Sequence, residues 1–227
     1  MKRKAATRRK VTPETGWMER AARAALRDAG RALARLGKRT ARAVAEAAET
    51  VVAALESGGT VYFCGNGGSA ADAQHLAAEL AGRYFAERPA IAAVALTTNS
   101  SSLTAIGNDY GFEQVFSRQL EGLGVAGDVL VAISTSGRSP NVVAAIETAH
   151  RQGMTVIGLT GLKGRRFASL CDLALVTPSD STPRVQEGHI AMGHALCELV
   201  ERAMFPPSRA PGERVARGAR RARAGRR

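Results

Sequence analysis

His75 and Glu79 stand four residues apart in the run Gly65-Asn66-Gly67-Gly68-Ser69-Ala70-Ala71-Asp72-Ala73-Gln74-His75-Leu76-Ala77-Ala78-Glu79. On a helix, positions i and i+4 share a face, so an imidazole and a carboxylate project side by side from a helix whose start is rich in glycine and hydroxyl. One short segment thus offers an anion cradle and a titratable pair. A second polar run, Ser134-Thr135-Ser136-Gly137-Arg138-Ser139-Pro140-Asn141, sets four hydroxyls around one glycine just ahead of a helix expected to start near Pro140. Hydroxyl donors, free backbone N–H groups and the helix dipole together favour a phosphate. No lysine follows the glycine and no GxGxxG is present, so neither nucleotide fingerprint applies. The plainer alternative is a Ser/Thr-capped helix behind a serine-rich turn.

A third run, Arg184-Val185-Gln186-Glu187-Gly188-His189-Ile190-Ala191-Met192-Gly193-His194, opens the last helical stretch. Gln186 and His194 are eight positions apart, about 80° around a helix, so they can flank one site from successive turns. Each histidine taken alone reads as a structural residue. Taken together, His75, Glu79, Gln186 and His194 supply two nitrogens and two oxygens, a set compatible with zinc or a similar divalent ion, although Gln is an uncommon ligand.

The elements that must position these groups follow from apolar patterning. Residues 17–57 are rich in Ala, Leu, Arg and Glu and predict two helices, 17–36 and 39–57, with Gly30 and Gly37 as breaks. After Gly58-Gly59, short apolar runs at 61–64, 91–96, 129–133, 155–159 and 173–176 alternate with longer amphipathic ones. Continuous apolar strands separated by helices predict an α/β fold, a five-stranded parallel sheet covered on both faces. A long helix is expected from about Arg184 to Met204, stopped by Pro206-Pro207. Ligands of such sheets bind outside the carboxyl ends of the strands, which is where all three polar runs fall.

The chain has 227 residues, 45% of them apolar, enough for one domain with an ample core. Its charge of +12 sits at the ends: residues 1–10 hold six Lys/Arg and no acid, and residues 208–227 hold eight Arg against Glu213. The body between is nearly neutral, which argues against a basic face on the fold. Residues 1–16 and 208–227 are expected to be disordered tails around a domain at 17–207, with weak, salt-sensitive nucleic-acid binding as the minority reading of those tails. Cys64, Cys171 and Cys197 form no CxxC pair, so reduced thiols are expected. No apolar run reaches a membrane span and no secretory signal is present, which predicts a cytoplasmic protein without membrane contact.

Five ordered motifs carry a resemblance to a known family: Cys64-Gly65-Asn66-Gly67-Gly68-Ser69, His75-x-x-x-Glu79, Gly107-Asn108-Asp109-Tyr110-Gly111-Phe112, Ile133-Ser134-Thr135-Ser136-Gly137-x-Ser139, and Arg184-x-Gln186-Glu187-x-His189 with His194. Over about residues 40–205 the chain resembles the bacterial phosphoheptose isomerases of the sugar-isomerase (SIS) domain superfamily. That resemblance implies a flavodoxin-like three-layer fold and a homotetramer with sites between subunits. It implies conversion of sedoheptulose 7-phosphate to D-glycero-D-manno-heptose 7-phosphate, the first step toward the ADP-heptose of lipopolysaccharide cores. Carried over by motif, Ser134, Thr135, Ser136 and Ser139 hold the phosphate, and Gly67, Gly68, Ser69, Asn108 and Asp109 meet the sugar. Glu79 and His194 form the acid/base pair, with Glu79 and Gln186 touching substrate. In metal-containing members the positions of His75, Glu79, Gln186 and His194 bind zinc, one ion per subunit.

Moving a carbonyl from C2 to C1 of a sugar phosphate requires a base, an acid and enediolate stabilisation, which suits Glu79 as the C1 base and His194 as the second proton-transfer group. A lone pair committed to a metal cannot also accept a proton, so the two roles of these side chains must be divided between oxygens or states. A non-enzymatic relative in the same superfamily, which binds the bacterial replication initiator, shares several of these motifs. It lacks the acid/base pair that this chain keeps at Glu79 and His194, which favours the enzyme. Arg83, one turn past Glu79, reads either as a partner of that carboxylate or as a solvated charge, and His150 as a surface residue. Trp17 reads as an anchor of the N-terminal helices, and Arg165-Arg166 as a minor attraction for a phosphorylated substrate.

Overall fold

The apolar runs become five parallel strands in the computed structural model, which describes residues 16–206. They are β1 (Val61–Gly65), β2 (Ala93–Ala95), β3 (Val129–Ile133), β4 (Thr155–Gly161) and β5 (Leu173–Thr177), in spatial order β2-β1-β3-β4-β5. Every residue of β1 and β3 is buried, which is why their sequences are apolar throughout instead of alternating. Two long helices, α1 (Gly16–Ala34) and α2 (Lys38–Glu56), precede the sheet. The helices α3 (Gly68–Ala81), α4 (Ser100–Asp109), α5 (Ser117–Leu123), α6 (Pro140–Arg151), α7 (Arg165–Ala168) and α8 (Thr182–Met204) follow in turn.

Two cores sandwich the sheet. On one face Val44 and Val51 of α2, Leu76 and Leu80 of α3, and Met192 and Leu196 of α8 pack on Val61, Phe63 and Val131. On the other, Leu120 of α5, Val142 and Ile146 of α6, and Phe167 of α7 pack on Tyr62, Leu130 and Val156. The expected three-layer arrangement is present. Because the chain leaves β1 toward β2 and β3 pairs on the opposite side of β1, the loops after β1 and β3 diverge and open a crevice between them.

The structure corrects several expectations. Gly30 does not break the first helix; it lies on an open face, where a mid-helix glycine costs only about 1 kcal/mol, and the break falls at Gly37. The strand expected at 91–96 shortens to Ala93–Ala95, with Ile91 and Leu96 still buried as anchors at its ends. The last helix starts at Thr182, with Pro183 in its first turn. Arg83 lies beyond the end of α3 and only approaches Glu87, at 4.0 Å, so it is not a neighbour of Glu79 on the helix. The first helix begins at Gly16, so residue 16 belongs to the fold. The rest of the two basic tails and Pro207 lie outside the described residues.

One buried ion pair, unmarked in the sequence, ties α3 to α8. Arg88 Nε lies 2.7 Å from Glu201 Oε2, with side chains 1% and 4% exposed. Glu201 also accepts from the backbone N–H groups of Tyr84, Phe85 and Ala86, and Arg88 donates to the carbonyls of Glu79, Leu80, Gly82 and Pro89. Burial pushes the Glu201 carboxyl up, and the backbone N–H groups and Arg88 outweigh it, holding the group down at about 2. A depressed carboxyl contributes its stability in full above its unfolded value of 4.5 and loses it as the pH falls to about 2. Glu201→Gln is therefore expected to lower unfolding free energy by a constant amount above pH 4.5, a gap that narrows toward pH 2 when urea unfolding is repeated across that range. Arg88→Met, which strands a buried carboxylate, should cost about 3–5 kcal/mol at pH 7.

Candidate active site

The crevice is built from the loops at the carboxyl ends of β1 and β3 and from the starts of α3, α6 and α8. Ser134 is buried, and its Oγ lies 3.1 Å from Ser139 Oγ and accepts from the Gly137 N–H at 3.1 Å. Ser136 Oγ accepts from the Arg138 N–H at 3.3 Å, and Thr135 is half-buried between them. Ser139 occupies the N-cap of α6 yet makes no side-chain capping bond. The plainer reading holds in part: Ser134 and Ser136 accept from backbone N–H groups within a serine-rich turn, but no side chain caps α6. The Ser134 and Ser139 hydroxyls turn toward each other, and without a side-chain cap the positive end of α6 is left open to an anion.

Asn66 and Asn141 join the two loops through a reciprocal pair of side-chain amide bonds, at 2.8 and 2.9 Å. Asn141 is 2% exposed. Neither residue was assigned a role from sequence. The available signal is an Asn, a poor helix former, placed just inside an amphipathic helix, where a buried amide must find a partner.

Across the crevice α3 and α8 run side by side in the same direction. A Cβ at Gly68 would run into the Gln186 amide, and a Cβ at Gly193 would come within 2.6 Å of Leu76 Cδ1. The absence of side chains at these two positions lets the helices close. That approach sets His75 Nε2 2.8 Å from His194 Nε2, with Glu79 Oε1 3.5 Å from His75 Nε2. One imidazole donates to the other, so the pair holds at most one proton between the two facing nitrogens. Tyr84 adds its ring 5.8 Å from that of His194, a contact not foreseen.

The structure brings together His75, Glu79 and His194 at one point of the seam, and Gln186 with Gly68 at another. Asn108 and Asp109 stand apart at the exposed end of α4, where Asn108 donates to Asp109 at 2.8 Å. Gly67 and Ser69 flank Gly68, with Ser69 buried against the β1 loop. Three further polar groups emerge from the packing. Asp72, three residues before His75, has a buried Oδ2 without a partner; burial raises its carboxyl and the His75 charge opposes the shift. His189 is fully buried with neither ring nitrogen bonded, and burial pushes it down to about 4 while the Thr160 backbone pulls the other way. It is a neutral core histidine. His150 is exposed beside Asp172, as expected of a surface residue.

Among the described residues no group of three or more His, Cys, Asp and Glu side chains forms a ready-made metal cage. The seam reaches four donors only with the amide of Gln186. Removing the Asn141 amide leaves the half-buried Asn66 without its partner and empties a buried polar position, so Asn141→Ala should cost about 1–3 kcal/mol in urea unfolding. The Asn66→Ala/Asn141→Ala double variant should cost little more than either single change, because both remove the same pair.

A model of the SIS domain family matches residues 26–161, more than half of the chain. The phosphoheptose isomerase of Rhodospirillum rubrum is 58% identical over 187 residues, covering 82% of this chain and 99% of that protein. That of Bradyrhizobium sp. strain BTAi1 is also 58% identical, over 158 residues, covering 70% of this chain and 80% of that protein. Among solved structures, the phosphoheptose isomerase of Neisseria gonorrhoeae superposes with a TM-score of 0.76 at 47% identity, and that of Francisella tularensis with 0.79 at 37%. Each covers 82% of this chain and 98% of its own. Shared sequence over most of the chain and a shared fold agree: the chain is a SIS-domain isomerase and belongs to the phosphoheptose isomerase family.

Proposed function

We propose that this enzyme converts sedoheptulose 7-phosphate to D-glycero-D-manno-heptose 7-phosphate through an enediolate, the first step toward the ADP-heptose of lipopolysaccharide cores. The observation that carries the reading is the meeting of Glu79, His75 and His194 on the α3–α8 seam, at distances of 3.5 and 2.8 Å, across the crevice from the uncapped hydroxyl loop. Ser134, Thr135, Ser136 and Ser139, with the N-terminus of α6, bind the phosphate. Gly67, Gly68, Ser69 and Gln186 line the path of the sugar from that loop toward the seam.

Glu79 takes the proton from C1 of the ketose and returns it at C2. His194 moves the hydroxyl proton from O1 to O2, so the carbonyl passes from C2 to C1 with no net change in protons. Positioned groups of this kind contribute about 10²- to 10⁴-fold each. His75, bonded to His194, orients that ring. Two imidazoles, a carboxylate and an amide oxygen are donor types that zinc accepts. We assign one zinc per subunit to His75, Glu79 and His194, joined by Gln186 from its place over Gly68, where it would supply Lewis-acid polarisation of the carbonyl and hydroxyl oxygens. Glu79 would keep one oxygen free for the C1 proton, and His194 would serve the metal and the hydroxyl proton in different states.

Exposed apolar side chains at Trp17, Met18 and Leu26 of α1, and an α4 with no buried residue, support a homotetramer in which Asn108 and Asp109 reach the sugar of a neighbouring subunit. Three free thiols support a cytoplasmic setting. Among the described residues no helix is long and apolar enough to cross a membrane.

The test is turnover of sedoheptulose 7-phosphate, read as appearance of the aldose phosphate. Glu79→Gln should reduce turnover by about 10²-fold or more while leaving calorimetric affinity for the sugar phosphate close to wild type. Loss of binding and fold together would assign Glu79 a structural role. Ser136→Ala should raise KM roughly tenfold with little change in kcat, as expected for loss of a charge-assisted phosphate contact. Dialysis against a chelator should remove both turnover and one equivalent of zinc per subunit, and His75→Ala should not regain that metal.

A further inference from the structure

A second cleft, of about 700 Å³, lies outside the catalytic crevice, between the start of α2, the turn after β4 and the free edge of β5. Arg35, Lys38, Arg39 and Arg165 line it, with no acidic residue among its walls. All four cations are exposed, and none makes an ion pair among the described residues. Four like charges around one concavity repel each other and raise the local potential for an anion. Arg165, read from sequence as an attraction for the phosphorylated substrate, belongs here and not to the catalytic loop.

Two further properties narrow the occupant. Its remaining lining includes the apolar side chains of Ala174 and Val176 of β5 and of Leu162. The volume falls in the range of about 300–1,000 Å³ typical of small-molecule sites, more than a lone phosphate needs. Arginine forks bind phosphate bidentately, and a flat apolar group can lie on the β5 side. The cleft also shares a wall with the hydroxyl loop. The Gly161 N–H donates to the Thr135 carbonyl at 3.3 Å, and a Cβ at Gly137 would come within 2.8 Å of Gly164 Cα. A ligand here is therefore one backbone layer from the phosphate loop without touching it.

We propose that this cleft is a binding site for a nucleoside diphosphate, with the diphosphate among Arg35, Lys38, Arg39 and Arg165 and the base against Ala174 and Val176. The site is distinct from the isomerase reading and is tested by binding alone. Titration of the full-length protein with ADP in a calorimeter should give one saturable event per chain. Adenosine should fail to bind for want of phosphate, and pyrophosphate should bind more weakly than ADP because it leaves the apolar side chains unused. Arg39→Glu with Arg165→Glu should weaken ADP at least roughly tenfold and leave turnover without ADP unchanged. The neutral pair Arg39→Gln with Arg165→Gln should act in the same direction. No ADP binding at about 1 mM would overturn the proposal. So would binding that survives the charge reversal, which would place ADP on the basic tails or in the catalytic crevice, and so would pyrophosphate matching ADP.

Discussion

The close parallel run of α3 beside α8 is the constraint on which the rest of the site depends. Three contacts define it: the Gln186 amide over Gly68, Leu76 against Gly193, and His75 against His194. Each lies about two turns from the next or closer, so they act as one seam. A methyl group at either glycine would displace the Gln186 amide or the Leu76 methyls that fill the seam. At the far end the buried Arg88–Glu201 pair closes the same seam, drawing the Leu80 and Gly82 carbonyls and the 84–86 backbone onto α8. Both ends must hold for the middle to keep hydrogen-bond distances between groups on different helices.

The sheet divides the labour of the site. Strands β1 and β3 are neighbours in register from Val61↔Val129 to Gly65↔Ile133, so their loops leave from the same level and then diverge. One loop feeds α3 and the His75–Glu79–His194 seam, and the other feeds α6 and the hydroxyl cluster. The Asn66–Asn141 amide pair bridges the two on the crevice floor, so the anion cradle and the seam are held at a defined separation.

Much of this organisation was legible in local sequence. The buried strands announced themselves as continuous Val, Leu and Ile runs, and the order of strands and helices implied a parallel sheet with ligands at its carboxyl edge. The face shared by His75 and Glu79 followed from a four-residue spacing. Where local patterning misled, tertiary packing had overridden it. Gly30 sits in a helix because nothing crowds it and α1 packs on α8 regardless, held in part by the Arg184 bond to the Ala25 carbonyl. The strand at 91–96 shortens because only its middle finds a partner along β1.

The sequence by itself determined the architecture and the inventory of reactive groups, because apolar periodicity, capping residues and helical spacing act over a few residues. Only the tertiary structure decided which of those groups meet. Asn66 and Asn141 are 75 residues apart, Arg88 and Glu201 113, and His75 and His194 119. Nothing in local pattern encodes such pairings. They arise when two helices bury their apolar stripes on one sheet face and glycines let their backbones approach. Packing likewise gathers Arg35 from just before α2, Lys38 and Arg39 of α2, and Arg165 of α7 around a second cleft, none of them ion-paired among the described residues.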